Sequence, residues 1–210
     1  MFIGHHAAAF AAKRFAPRVS LGTLFAAAIL LDLVWPILLL LGLEHVRIAP
    51  GITAFTPLDF YDYPITHSLL AALGWSVAFA ILVRRQPVIV GATVLSHWVL
   101  DFVTHRPDLP LWPGGPKFGL GLWNSVPATI LVEVGLFVAA LIVYLRMTRA
   151  RDRAGRLSLW LLVAFLAMVY IGNLYSPPPP DTTAIGWAGL AQWLFVPWGF
   201  WIDRHREVVA

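Results

Sequence analysis

The chain has 210 residues and no cysteine; 59% of it is hydrophobic and only 12% charged, with a mean hydropathy of +0.75. A soluble domain carries about a quarter of its residues as Asp, Glu, Lys and Arg, so this composition excludes a soluble globular protein and points to an integral membrane protein. Without cysteine there is no disulfide framework, thiolate metal site or lipidated Cys, and any metal would be held by His and carboxylates.

The chain begins with "MFIGHHAAAFAAKRF", a helix former whose apolar part is too short to cross a bilayer. Its basic residues follow the apolar run, the reverse of a signal peptide. Two placements remain: a helix lying on the membrane face, or one re-entering the bundle. The first is commoner in general, because non-spanning segments at depth need protein around them. Apolar windows long enough to span follow at about 20–43, 66–83, 87–104, 126–145, 157–175 and 183–202.

The connections sort by charge. Lys13, Arg14 and Arg18 precede the first window, and Arg84 and Arg85 join the second to the third. Arg146, Arg149, Arg151, Arg153 and Arg156 join the fourth to the fifth, and Arg204 and Arg206 follow the sixth. Of the 15 basic residues, only Arg47, Arg106 and Lys117 fall on the other side. The positive-inside rule therefore predicts an all-α integral membrane protein, a single polytopic domain over 1–210. It would have six transmembrane helices plus a short N-terminal re-entrant or interfacial helix, with both termini on the cytoplasmic side of the inner (plasma) membrane. The net charge of +4 is then a signature of topology and of contact with anionic membrane lipids, not of nucleic acid. On the opposite side, segments 44–66 and 106–127 are rich in Pro, Gly and aromatic residues, the mix of structured interfacial caps. "SPPPPDT" at 176–182 reads as a stiff polyproline connector.

Ionisable groups inside spans are costly, and each is a site hypothesis. They are few: Asp32, His67, His97, Asp101 and Glu133, with His105 closing the third span. In "SHWVLDFVTHRPD" (96–108), His97, Asp101 and His105 recur every four residues and share one helix face. Counting 1.5 Å per residue from the basic end puts His97 at ~15 Å, Asp32 at ~16 Å, Glu133 at ~19 Å, Asp101 at ~21 Å, His67 at ~25 Å and His105 at ~27 Å. A re-entering N-terminal helix would lift His5 to ~12 Å. These depths predict a cluster, and a divalent cation neutralises two carboxylates while taking neutral imidazoles as ligands. Zn²⁺ accepts His and Asp at about 2.0–2.2 Å, and a nitrogen–oxygen set without sulfur also suits Mn²⁺ or Fe²⁺. Plainer roles exist for single residues. Glu133 can be an interhelical hydrogen bonder, His105 can sit in an interfacial rim with Arg106 and Asp108, and Asp59 and Asp62 can be solvated or turn-forming.

Four fragments carry a resemblance: "GHH" (Gly4, His5), Asp32 in "LLDL", "THSLL" (Thr66, His67, Ser68) and "SHWVLD" (Ser96, His97, Asp101). In this order they resemble the predicted membrane-bound metal-dependent hydrolases of bacteria and archaea, which are distantly similar to helical hydrolases of the zinc-dependent phospholipase C type. The match covers roughly the first half of the chain. It departs at positions 34 and 35, Val and Trp, where the family commonly carries a second acid, and at "YDYPI", where His/Arg-Gly usually precedes the Thr-His-Ser. The resemblance implies a divalent metal, zinc first, held by some of His5, Asp32, His67, His97 and Asp101. It also favours the re-entering placement of the N-terminal helix.

The leading expectation is thus a metal-dependent hydrolase acting on an ester or phosphodiester near the lipid headgroups, its substrate lipid-like. Asp62 or Glu133 would be the general base or orient a ligand, with His105 and Asp108 on the substrate-side rim. The alternatives are a non-catalytic accessory subunit of a larger membrane complex, its polar cluster locking helices together, and a small permease. No inverted repeat supports the permease.

Overall fold

In the computed structural model, which describes residues 1–209, the alanine-rich N-terminal run forms helix α1 (Ile3–Phe15), as its propensity dictates. Nine of its 13 residues are buried, so α1 is packed inside the bundle and does not lie on its surface. Even Lys13 is buried, with Nζ donating to the Val19 carbonyl (2.7 Å) and to Asp203 (3.2 Å).

Ser20 caps α2 (Leu21–Ala28) by accepting the Thr23 N–H. The expected first span is not straight: the chain bends by 55° at Ile29 before α3 (Leu30–Leu40). Nothing in Ala26–Ile29 breaks a helix by itself, so the bend is a tertiary effect. α3 ends in a Schellman turn on Gly42 (φ +68°), where Leu43 N–H bonds the Leu38 carbonyl (2.9 Å) and Gly42 N–H that of Leu39 (3.1 Å). The positive φ favours glycine there.

Strands β1 (His45–Ile48) and β2 (Leu58–Asp62) pair antiparallel. A single turn α4 (Pro64–His67) follows, then α5 (Leu69–Val83), capped by Ser68. Arg84 and Gln86, both at positive φ, lead into α6 (Pro87–Thr104), with Pro87 in the first turn where a missing N–H costs nothing. A short hairpin of β3 (Leu109–Pro110) and β4 (Lys117–Phe118) precedes α7 (Val126–Met147). After β5 (Thr148–Ala150) come α8 (Arg153–Tyr175), α9 (Thr182–Leu190), α10 (Phe195–Arg204) and β6 (Arg206–Val208), which pairs with β5.

The protein is mostly helical, as expected, with three two-stranded pairs added in the connections. Among the described residues, α6, α7 and α8 are long and apolar enough to cross a membrane, and α2 with α3 makes a fourth if the bent pair is one span. Six continuous spans are not shown among the described residues. The expected second span is shortened to the 15 residues of α5, because the chain breaks at Ser68. The expected sixth is divided: Pro197 has no N–H for the Trp193 carbonyl, and residues Ala191–Leu194 tighten into a 3₁₀ turn before α10.

The connections fall at two ends. At one, Gln86 bonds the Phe15 carbonyl (2.9 Å), β5 pairs with β6, and Asp203 joins Lys13. At the other, the β1–β2 hairpin and the 106–127 segment are tied together into a cap. Close helix approach comes from glycine: a Cβ on Gly199 of α10 would stand 2.7 Å from the Gly22 Cα of α2.

Candidate metal centre

The bend at Ile29 is the first device of the site. A straight helix would give the Ala28 carbonyl to the N–H four residues on. Here that carbonyl instead accepts His97 Nδ1–H from α6 at 2.9 Å. The bond fixes the tautomer, so Nε2 carries a lone pair and points inward. His97 is fully buried, and its Nε2 has no hydrogen-bond partner.

A second device fixes His67. Glu44, fully buried just past the Gly42 turn, accepts the N–H groups of Ile65 (2.7 Å) and Thr66 (2.9 Å) on Oε1 and so caps α4. Its Oε2 accepts the Thr66 hydroxyl at 2.7 Å. With its only proton donated to Glu44, Thr66 Oγ1 accepts His67 Nδ1–H, also at 2.7 Å. His67 Nε2 is thereby left with its lone pair facing the same centre as His97.

Each of these two imidazole nitrogens faces an oxygen of Asp32 and an oxygen of Asp101. His97 Nε2 lies 3.2 Å from Asp101 Oδ2 and 3.7 Å from Asp32 Oδ1; His67 Nε2 lies 3.8 and 3.6 Å from the same two oxygens. Ligands 2.0–2.2 Å from one ion in tetrahedral geometry stand about 3.3–3.6 Å apart, close to these separations. Lone pairs of two tautomer-locked imidazoles facing two carboxylates repel unless a cation lies between them. His5, brought in by α1, adds to the set: its ring stacks on His97 (centroids 3.7 Å apart, planes within 5°), and its Nε2 is 3.1 Å from Asp101 Oδ1. His5 Nδ1 has no partner. The Met1 amino nitrogen, 2.6 Å from Asp101 Oδ1, already presents positive charge to this carboxylate. The buried set His5–His97–Asp101 and the set Asp32–His67–His97, in which Asp32 is partly exposed, can therefore hold a metal ion, and the unpartnered atoms fit one. All five residues proposed as ligands are brought together.

The remaining candidates separate. His105 is not a rim residue: it is 4% exposed, and its Nε2 is 3.8 Å from Asp101 Oδ1. Its Nδ1–H donates to Asp108 Oδ1 (2.9 Å), with the Tyr63 hydroxyl at 3.3 Å, so Nε2 is the ring nitrogen turned towards Asp101. Burial, then the charge of Asp108, holds the Tyr63 hydroxyl well above its ordinary pKa, and it remains a donor to Asp108 at 3.0 Å. Trp123 packs on the His105 ring, centroids 4.2 Å apart. Asp108 is thus buried and orienting, not at the substrate-side rim.

Asp62 lies outside the site. It pairs with His45 Nδ1 (2.8 Å) across the hairpin, both side chains nearly half exposed, so it is not placed to act as base. Glu133 is fully buried, but its Oε2 accepts the N–H groups of Phe2 (3.0 Å) and Gly4 (3.4 Å), anchoring the start of α1 and hence His5. It makes no hydrogen bond to the His/Asp set. Asp59 is buried, not solvated, because Arg47 and Arg106 both donate to it and lock the hairpin to the 106–127 segment. The Phe55 N–H to Trp123 carbonyl bond (3.0 Å) adds a second tie. Glu44 was not singled out by sequence; its only signal is position, two residues past a helix-closing glycine.

A cavity of about 380 Å³ opens beneath this cap onto Asp32, His67, Asp101 and His105. Comparison with family models, with curated proteins and with solved structures finds no match for this chain.

Proposed function

We propose that this protein is a membrane-embedded, metal-dependent hydrolase of an ester or phosphodiester near the lipid headgroups. The carrying observation is the set of imidazole lone pairs and carboxylates, oriented from outside by Ala28, Thr66 and Glu44 and opening on a cavity. A helix-locking cluster would pair its polar atoms, whereas His97 Nε2 and His5 Nδ1 have no partner. The resemblance of the four sequence fragments to membrane-bound metal-dependent hydrolases points the same way.

A divalent ion, zinc first, with Mn²⁺ or Fe²⁺ as alternatives, would supply Lewis acidity and acidify water. His67, His97, Asp32 and Asp101 would hold it, with His5 beside Asp101. His105 would be the general base: Asp108 fixes its ring, and its Nε2 stands at the cavity wall where a water proton has to go. The capping hairpin would exclude bulk water. In this reading the bent pair and the divided α9–α10 segment each cross the membrane, giving six crossings with both termini on the cytoplasmic side of the inner membrane.

The test is elemental analysis of protein purified without chelators, wild type beside Asp32→Asn, followed by ester hydrolysis in mixed micelles. Near-stoichiometric metal in the wild type, reduced in the variant, is expected. A wild-type protein that neither retains nor takes up divalent metal would refute the proposal.

A further inference from the structure

The cavity over the metal centre does not stand alone. A second one, about 830 Å³, runs between α8, α9 and α10 and is walled almost entirely by apolar groups, among them Phe165, Val169, Ala188 and Trp198. Phe2, Trp35, Leu58, Asn173, Pro179 and Gln192 border both, so a polar hollow and an apolar groove adjoin along one line of side chains. Gln192 sits on that line with its Oε1 buried and unpartnered, and Asn173 contributes a second neutral amide.

The division of character describes a ligand. One part is polar and reacts beside Asp32, His67 and Asp101; the other is a long apolar chain. Charge narrows the reacting part. No Lys or Arg side chain lines either cavity, and a divalent ion held by Asp32 and Asp101 is already neutralised. The Met1 ammonium at the wall of the polar cavity is already paired with Asp101 (2.6 Å), so a phosphodiester anion would find no unpaired cationic donor of the kind that usually receives it. An uncharged carbonyl needs none: neutral amides and the ion are sufficient partners.

Resting on the hydrolase reading, we infer that the substrate is a long-chain carboxylic ester of a membrane amphiphile, its alkyl chain lying in the α8–α10 groove. Water adds its oxygen to the acyl carbon, the acyl C–O bond breaks, and the departing alcohol takes the proton relayed by His105. The products are a fatty acid and an alcohol. Because lipid tails are as apolar as the groove, the chain is selected by shape and by its attachment to the reacting carbonyl, not by transfer out of water.

The absence of cysteine gives a clean test. Ala188→Cys places a sole thiol in the groove, and alkylating it with N-benzylmaleimide after purification blocks the groove in protein that has already folded. Hydrolysis of para-nitrophenyl hexadecanoate and para-nitrophenyl acetate is measured before and after, with zinc content as the control. Blocking is expected to lower kcat/KM for the hexadecanoate by roughly tenfold or more while the acetate stays within about twofold and zinc is retained. Equal loss on both esters, or loss on neither, would overturn the groove assignment and leave the hydrolase reading standing. A zinc-loaded, unmodified protein that cleaves neither ester, yet cleaves a long-chain phosphodiester, would overturn the ester assignment. Cleavage of none of them would remove the hydrolase reading itself.

Discussion

Thr66→Val isolates the hydroxyl between Glu44 and His67. Valine keeps the volume, and Glu44 keeps its Oε1 bonds to the Ile65 and Thr66 N–H groups, so the α4 cap survives. What disappears is a pair of 2.7 Å bonds, leaving His67 Nδ1–H and Glu44 Oε2 buried without a partner. Stranding such groups costs about 1–3 kcal/mol of stability in the metal-free protein. The effect on the ion is separable, because His67 loses the acceptor that fixes its tautomer. Removing a partner of this kind typically weakens metal affinity by about 10–100-fold. That corresponds to roughly 1.4–2.8 kcal/mol. Competition for Zn²⁺ against a chromogenic chelator in detergent reads the affinity, and thermal unfolding without metal reads the stability. Thr66→Ser, which restores the hydroxyl, is the control and is expected to recover most of both. If folded Thr66→Val binds zinc as tightly as wild type, the Glu44–Thr66–His67 chain does not orient the ligand and the reasoning fails.

Three further outcomes follow from the same geometry. His105→Gln is expected to retain bound metal while losing about 10²–10⁴ in hydrolysis rate, since proton transfer and ion binding fall to different residues; metal content and initial rates on one preparation check this. Asp62→Asn is expected to leave metal content and rate unchanged, with stability within about 0.5 kcal/mol of wild type, because that carboxylate meets only His45. At the basic end, the hydrogen bond from His205, and then the Gly155 N–H, hold the Asp152 carboxyl below its ordinary pKa. The folded chain therefore binds this proton less readily than the unfolded one. The associated stability is complete above the ordinary Asp value and drains away as pH falls through the lowered one. Acid unfolding of Asp152→Asn, followed by circular dichroism, should show a shallower pH dependence in that window.

How much of this was legible in the sequence depends on the range of the interaction concerned. His97 and Asp101 are four residues apart on one helix, and helix periodicity alone puts them together. Asp32 and His67 are legible as ionisable groups in apolar windows, but counting leaves them about 9 Å apart in depth, and it is the resemblance that joins them. Depth counting puts His105 at ~27 Å, barely past His67, and without a matching fragment in the resemblance it reads as a rim residue, whereas the β1–β2 hairpin and the 106–127 segment fold over it. Glu44 was invisible for a related reason. Its relation to Thr66 spans 22 residues and depends on a Schellman turn followed by a hairpin, neither of which leaves a periodic trace. Asp62 looked suitable because it is the nearest acid to His67 in the chain, but cross-strand register hands it to His45. The broken spans could not be read from hydropathy, which measures how apolar a window is and is blind to a 55° bend inside it.

The bond from His97 to the Ala28 carbonyl restricts which ligands this position can ever use. Aspartate, glutamate or a thiolate could take the place of Nε2 at an ion, and each would be acceptable to zinc. None of them has a second, protonated atom to give to the carbonyl that the bend exposes, and an unanswered carbonyl in a nonaqueous interior is expensive. Only an imidazole can face both ways at once. The route to altered metal preference in this scaffold therefore runs through Asp32, or requires the α2–α3 helix to be straightened first.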